Sequence, residues 1–302
     1  MAQDNVTMAY RAAYKVAQAL PGSFVDRAAA VLGMAAMPFT ADRRFMAERN
    51  MRRALGSEAT DVEVARAVRR AFASYGRYWA ESFRLPGLSA EALEAGMAYT
   101  GFEHVVDAVA TGTGPILVVP HLGGWEWGGF WMTRLERLPA TTVVEPLEPP
   151  SLFEFFVEFR ESLGMHVIPL GPGAGTEVVR GLRRADVVPL LSDRDLEGNG
   201  VEVDFFGERT TLPAGPATLA LRTGARLLPS AFYFRGSGHH VIVEPPVPAE
   251  RRGRLRDDVQ RITQDLAREL EVLIRRAPEQ WHLMQPNWPS DHLALAARSS
   301  SG

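Results

Sequence analysis

No cysteine occurs in the 302 residues. This excludes a thiol nucleophile, structural disulfides and thiolate metal sites. Lysine is almost as scarce: Lys15 is the only one, so positive charge is carried by arginine and lysine chemistry would have to use that single residue. A basic excess is also missing. The formal net charge is −3, against the footprint of a nucleic-acid binder. Nor is there a run of the ~20 apolar residues that a membrane span needs. The best candidate, Ala28 to Thr40, is uncharged but short and interrupted by Pro38. With Asp4 and no basic signal-peptide region near the start, the reading is a protein with no signal peptide and no transmembrane helix, on the cytoplasmic side. Metal-ligand spacings such as His-x-His and His-Glu-x-x-His are absent, and so is the Gly-x-Ser-x-Gly elbow of hydrolases.

What is present is a globular composition, 46% hydrophobic and 23% charged, in a chain long enough for a large core. Residues 8 to 35 carry two short amphipathic helical patterns, with Tyr10, Ala13, Tyr14 and Ala17 on one face of the first. They fit core helices or helices docked on a bilayer. Phe72, Tyr75, Trp79 and Phe83 recur at helical spacing on another helix. From Ile116 onward, short β-branched runs alternate with helical ones, and Leu255 to Arg276 reads as a long helix. That alternation predicts an α/β fold with a mostly parallel central sheet and helices on both faces. The expected organisation is a helical region over 1–95, an α/β core over 96–290 and a flexible tail over 291–302, one structural domain in all.

The segment Ile116-Leu-Val-Val-Pro-His121-Leu-Gly-Gly-Trp-Glu126 carries the chemistry. A buried strand ends at Pro120, Gly123-Gly124 turn the backbone, and a helix begins at Trp125. His121 therefore stands at the carboxyl end of a strand, where open α/β sheets bind ligands. Glu126, one turn into the helix, is placed to fold back onto the imidazole as its orienting carboxylate. The same spacing also suits a histidine that merely caps or hydrogen-bonds. Asp193-Arg194-Asp195 ends another predicted strand, either facing the same site or forming a turn with its own ion pair. Arg160 reads as a phosphate ligand or as the partner of Glu145 or Glu161.

Four segments in this order resemble a known family: Val119 to Trp127 with its His-x4-Glu; Phe156 to Arg160 after Val144-Glu145-Pro146; Leu191 to Leu196 with Val201 to Gly207, Leu212-Pro213 and Gly215 to Ala217; and Ala277 to His282. The chain resembles the bacterial acyltransferases of lipid A biosynthesis, and among these the phosphatidylinositol mannoside acyltransferases, over about residues 8 to 290. Glutamate at 126 replaces the aspartate frequent in the family.

The resemblance implies transfer of a long acyl chain from acyl-CoA or acyl carrier protein to a sugar hydroxyl of a membrane glycolipid, with no cofactor and no metal. His121 is then the general base and Glu126 its orienter. Gly123 and Gly124 would offer N–H groups to the oxyanion. Arg160, Asp193, Arg194, Asp195 and Glu145 would bind substrate, the arginines through phosphates. Trp127, Phe130 and Trp131 would line an acyl groove, core packing being their other reading. An enzyme with such substrates works at the inner leaflet of the plasma membrane, which favours docking by residues 8 to 40. Other glycolipid acceptors, thioester hydrolysis, and an inactive lipid- or acyl-CoA-binding homologue are the rival readings.

Overall fold

The computed structural model describes residues 2–20, 22–196 and 198–300. Five helices come first: α1 (Ala2–Ala19), α2 (Gly22–Ala36), α3 (Ala41–Leu55), α4 (Asp61–Arg84) and α5 (Ala90–Ala95). Alternation follows through β1 (Met97–Thr100), α6 (Glu103–Val109), β2 (Ile116–Val119), α7 (Trp125–Arg134), β3 (Ala140–Val144), α8 (Pro150–Ser162), β4 (Met165–Pro169), α9 (Ala174–Arg183) and β5 (Val188–Leu191). The hairpin β6 (Val201–Phe205) and β7 (Glu208–Leu212) leads to α10 (Gly215–Thr223), β8 (Leu227–Arg235), β9 (Gly238–Val243), α11 (Leu255–Arg276) and α12 (Pro289–Ser299). The expected tail is thus helical as far as Ser299, and Ser301 and Gly302 lie outside the described residues.

The central sheet has five strands in the order β1-β9-β8-β2-β5. β1 pairs with β9, and β2 with both β8 and β5, in parallel; β8 and β9 form an antiparallel hairpin. β3 and β4 form a parallel pair beyond β5, joined to its start by an Ala140–Val187 bridge. Every residue of β2 is buried. Because side chains alternate along a strand, Ile116 and Val118 enter one core while Leu117 and Val119 enter another. The uninterrupted apolar sequence follows from this two-sided burial.

Helix α4 links the two cores. Thr60 caps it reciprocally, accepting from Glu63 N–H at 3.3 Å while Glu63 accepts Thr60 N–H at 2.8 Å. Its Val64, Val68 and Phe72 enter the first core and its Ala80 and Phe83 the second. The aromatic stripe of α4 also receives α1: Tyr10 lies edge-on to Trp79 and Phe156, and Tyr14 to Phe83 and Phe155.

Candidate active site

The strand register builds the site. In the parallel pair β2–β5, Val119 stands opposite Leu191, so two residues beyond each strand end come His121 and Asp193. Pro120 ends one ladder, and Ser192 N–H closes onto Val119 O at 2.9 Å. The Asp193 carboxylate then meets the histidine twice, with Oδ1 2.6 Å from His121 Nδ1 and Oδ2 accepting His121 N–H at 3.0 Å. Trp281 Nε1–H donates to the same Oδ2 at 2.7 Å, and Asn287 Nδ2–H to Asp193 O at 3.0 Å. Asp193 is fully buried, whereas the His121 side chain is 30% exposed. Burial pushes the Asp193 carboxyl up, but the His121 charge and the bonds from His121 and Trp281 outweigh it, holding the group below the usual carboxylate range. The imidazole is therefore oriented from its Nδ1 side. Nε2 has no partner among the described residues.

Glu126 is not the carboxylate on this ring. It sits fully buried in the first turn of α7, where Oε1 accepts Arg160 Nη2–H at 2.6 Å and Tyr78 O–H at 3.3 Å. Burial raises its pKa, and the Arg160 charge and both hydrogen bonds reverse this only in part. The physical reason is reach and charge. Arg160, itself buried on α8 and lying over the Trp125 ring at 5.2 Å, needs a counter-ion, and Glu126 is the carboxylate presented to it. Arg160 is therefore spent on an internal ion pair rather than held out for a phosphate, and its partner is neither Glu145 nor Glu161. Glu145 is exposed beyond the end of β3.

The two glycines are conformational rather than oxyanion donors. Gly123 has φ +63°, and a Cβ there would stand 1.8 Å from Phe232 O; one on Gly124 would stand 2.4 Å from His239 Nε2. Their N–H groups are already used, Gly123 donating to Gln280 O and Gly124 to Phe232 O, each at 2.9 Å. Asp195 is also structural: it accepts from Gly198 N–H, Gly200 N–H and the Thr211 hydroxyl, closing its loop onto β7. Arg194 between the two aspartates is half-buried and has no ion-pair partner among the described residues. Of the three residues expected in an acyl groove, Trp131 lines an apolar cavity with Phe102, Leu117, Gly128, Phe232 and Val241. Trp127 instead stacks on His239 at 4.4 Å, and Phe130 is packed into the second core.

Sequence reasoning singles out Ala277 to His282 but gives it no role; in the structure Gln280 to Trp288 straps the site. Leu122 bridges Trp281 in antiparallel fashion, and His282 N–H donates to His121 O at 2.7 Å. Sequence reasoning missed His239, which lies on β9 and whose Nε2 is 2.8 Å from Glu81 Oε2. Trp281 and Asp193 are 88 residues apart, and no local spacing links them.

Comparison with known proteins points to one family. A family model described as bacterial lipid A biosynthesis acyltransferase matches residues 1–290. A phosphatidylinositol mannoside acyltransferase of Mycolicibacterium smegmatis is 37% identical over 295 residues, covering 94% of this chain and 91% of the relative. One of Mycobacterium tuberculosis is 43% identical over 223 residues, covering 72% and 69% respectively.

Proposed function

The chain belongs to the bacterial lipid A biosynthesis acyltransferase family, and from that premise we propose that it moves a long acyl chain from acyl-CoA to a mannose hydroxyl of a phosphatidylinositol mannoside. The names of the two relatives favour this acceptor over a lipid A precursor. The observation that carries the chemistry is the buried Asp193 on Nδ1 of a partly exposed His121.

In this reading His121 Nε2 takes the proton of the sugar hydroxyl as its oxygen attacks the thioester carbonyl. The tetrahedral intermediate collapses, the carbon–sulfur bond breaks, and the imidazolium returns the proton to the departing thiolate. Acyl ester and coenzyme A are the products, and no covalent enzyme intermediate is needed. Asp193 holds the tautomer and stabilises the transient imidazolium, the role that spacing alone gives to Glu126. Glu126, paired with Arg160, fixes the first turn of α7 immediately after the histidine loop. Arg194 is the cation offered to a phosphate of the donor or of the lipid head. Of the aromatic residues expected along an acyl groove, Trp131 borders a cavity, a small apolar one that it shares with Phe232.

A lipid acceptor of this kind sits in a membrane surface. Among the described residues no helix is long and apolar enough to cross a membrane. Helices α1 and α2 instead leave Met8, Val16, Val31, Leu32 and Met34 exposed, with Leu20 between them and Phe39 beyond. We place this face on the inner leaflet, where acyl-CoA is available.

The test is transfer of labelled palmitate from palmitoyl-CoA to purified mannosylated phosphatidylinositol. His121→Ala should lose roughly a hundred- to ten-thousand-fold in rate. Free palmitate without acylated glycolipid would instead indicate a thioesterase. A second arm separates the two carboxylates by proton NMR. The strongly deshielded His121 Nδ1 proton should vanish in Asp193→Asn and persist in Glu126→Gln; the opposite pattern would return the orienting role to Glu126.

A further inference from the structure

The Asp193 carboxylate is fully enclosed, so each of its hydrogen bonds must come from protein. Oδ1 serves the His121 ring, and Oδ2 takes the His121 backbone N–H and the Trp281 indole N–H. The backbone bond anchors one side of the carboxylate to the residue it must orient. The indole bond supplies the independent anchor, coming from a chain segment beyond α11. Trp281 has no exposed surface, and its ring is packed against Phe205 and Phe206, with centroids at 6.4 and 5.5 Å. The indole plane is thus fixed by neighbours that make no contact of their own with the histidine among the described interactions. Tryptophan meets both demands with one side chain: an apolar body for a dry pocket and a single N–H, a donor that never competes as an acceptor.

The strap around Trp281 is itself anchored on both sides. Its backbone joins the histidine loop through the Leu122–Trp281 bridge and the bond from His282 N–H to His121 O. Farther along, Asn287 holds Asp193 O. The fully buried Asp291 then closes the segment, accepting from Asn287 N–H and Trp288 N–H and from Arg49 and Arg53 of α3. Arg53 also lies over the Trp288 ring at 4.0 Å.

We infer that Trp281 is a positioning residue of the transfer reaction: its indole N–H locks the Asp193 carboxylate in the orientation that presents Oδ1 to His121. The inference rests on the reading of His121 as base and Asp193 as its orienter. Loss of the N–H leaves Oδ2 short of a donor in a pocket with no solvent exposure, and the carboxylate loses its second fixed point.

The experiment uses the full chain with palmitoyl-CoA and mannosylated phosphatidylinositol. Trp281→Phe removes the donor but also shrinks a buried ring. Trp281→3-benzothienylalanine keeps the ring size and replaces only N–H by sulfur, which preserves the fold. For that isostere, kcat should fall about tenfold to a hundredfold, the worth of one bond to a charged group. Both KM values should stay within about twofold, since substrate binding is untouched. The deshielded His121 Nδ1 proton should shift, while the melting temperature stays near the parent value. Wild-type kcat with an unmoved proton would overturn the inference. So would a lower kcat with an unmoved proton, which would mean that Trp281 acts through general packing. Retained transfer in His121→Ala marks failure of the underlying reading; an inactive His121→Ala beside a fully active isostere marks failure of this inference alone.

Discussion

His282 lies behind His121 on the same strap, with Nε2 2.9 Å from Ser74 Oγ and its ring beside Tyr75 and Tyr78. Burial, and then the nearby charge of His121, push its pKa down to about 3. The sign of the linkage follows. Above about pH 6.5 the residue is neutral in folded and unfolded chains alike, and no stability is lost. As pH falls below that value the unfolded chain takes up a proton that the folded one refuses. Stability therefore declines by up to about 1.4 kcal/mol per pH unit until the folded pKa is reached. His282→Gln should flatten the fall of unfolding free energy between pH 6.5 and 5 in denaturant titrations; an unchanged slope would assign acid sensitivity elsewhere. At the same scale, charge explains why Glu126 does not reach the imidazole. A carboxylate five residues from a histidine is near it in sequence, but a buried arginine without a counter-ion costs several kcal/mol, and that demand decides where Glu126 points.

Among the elements, the crossing of α2 over α4 depends on two glycines. A Cβ on Gly33 would stand 2.3 Å from Phe72 O, and one on Gly76 2.2 Å from Ala29 O. Both obstacles are backbone, so neither can rotate away. Glycine inside a helix ordinarily costs about 1 kcal/mol relative to alanine. Here close approach reverses the preference: Gly76→Ala should cost about 1–3 kcal/mol as overpacking. Faster amide exchange confined to α2, with α11 unchanged, would report it, whereas a variant as stable as the parent would refute the tight crossing. Helix α7 uses the same device on the other side of the site. Gly128 lies against the Phe232 ring and Gly129 against the Met165 methyl, so the helix carrying Glu126 seats directly on β8 and β4.

For the whole molecule, α1 and α2 combine both readings of their amphipathic pattern. Tyr10, Tyr14, Ala17 and Val25 join the second core or pack against it, yet Leu32 is 68% and Phe39 89% exposed. Inserting one such side chain into a bilayer interface is worth roughly 1.5–3 kcal/mol. Leu32→Glu with Phe39→Glu should therefore weaken binding to anionic phospholipid vesicles about a hundredfold or more in a sedimentation assay. Transfer to a water-soluble mannoside acceptor should be unaffected. Undiminished vesicle binding would remove this face from the membrane.

Local chemistry determined much of this protein. The four buried apolar residues of β2, three of them β-branched, with Pro120, the double glycine and the start of α7, are legible because strand burial, ladder termination and tight turning each demand particular residue types within a few positions. The place of His121 at a strand end follows from them. Tertiary structure alone decided which carboxylate serves that histidine. Asp193 reaches it through the parallel register of β2 with β5, Glu126 is drawn away by Arg160 from α8, and Trp281 arrives from the far end of the chain. Such partnerships are settled by pairing register and by the cost of unmet buried charge, and both depend on residues distant in sequence.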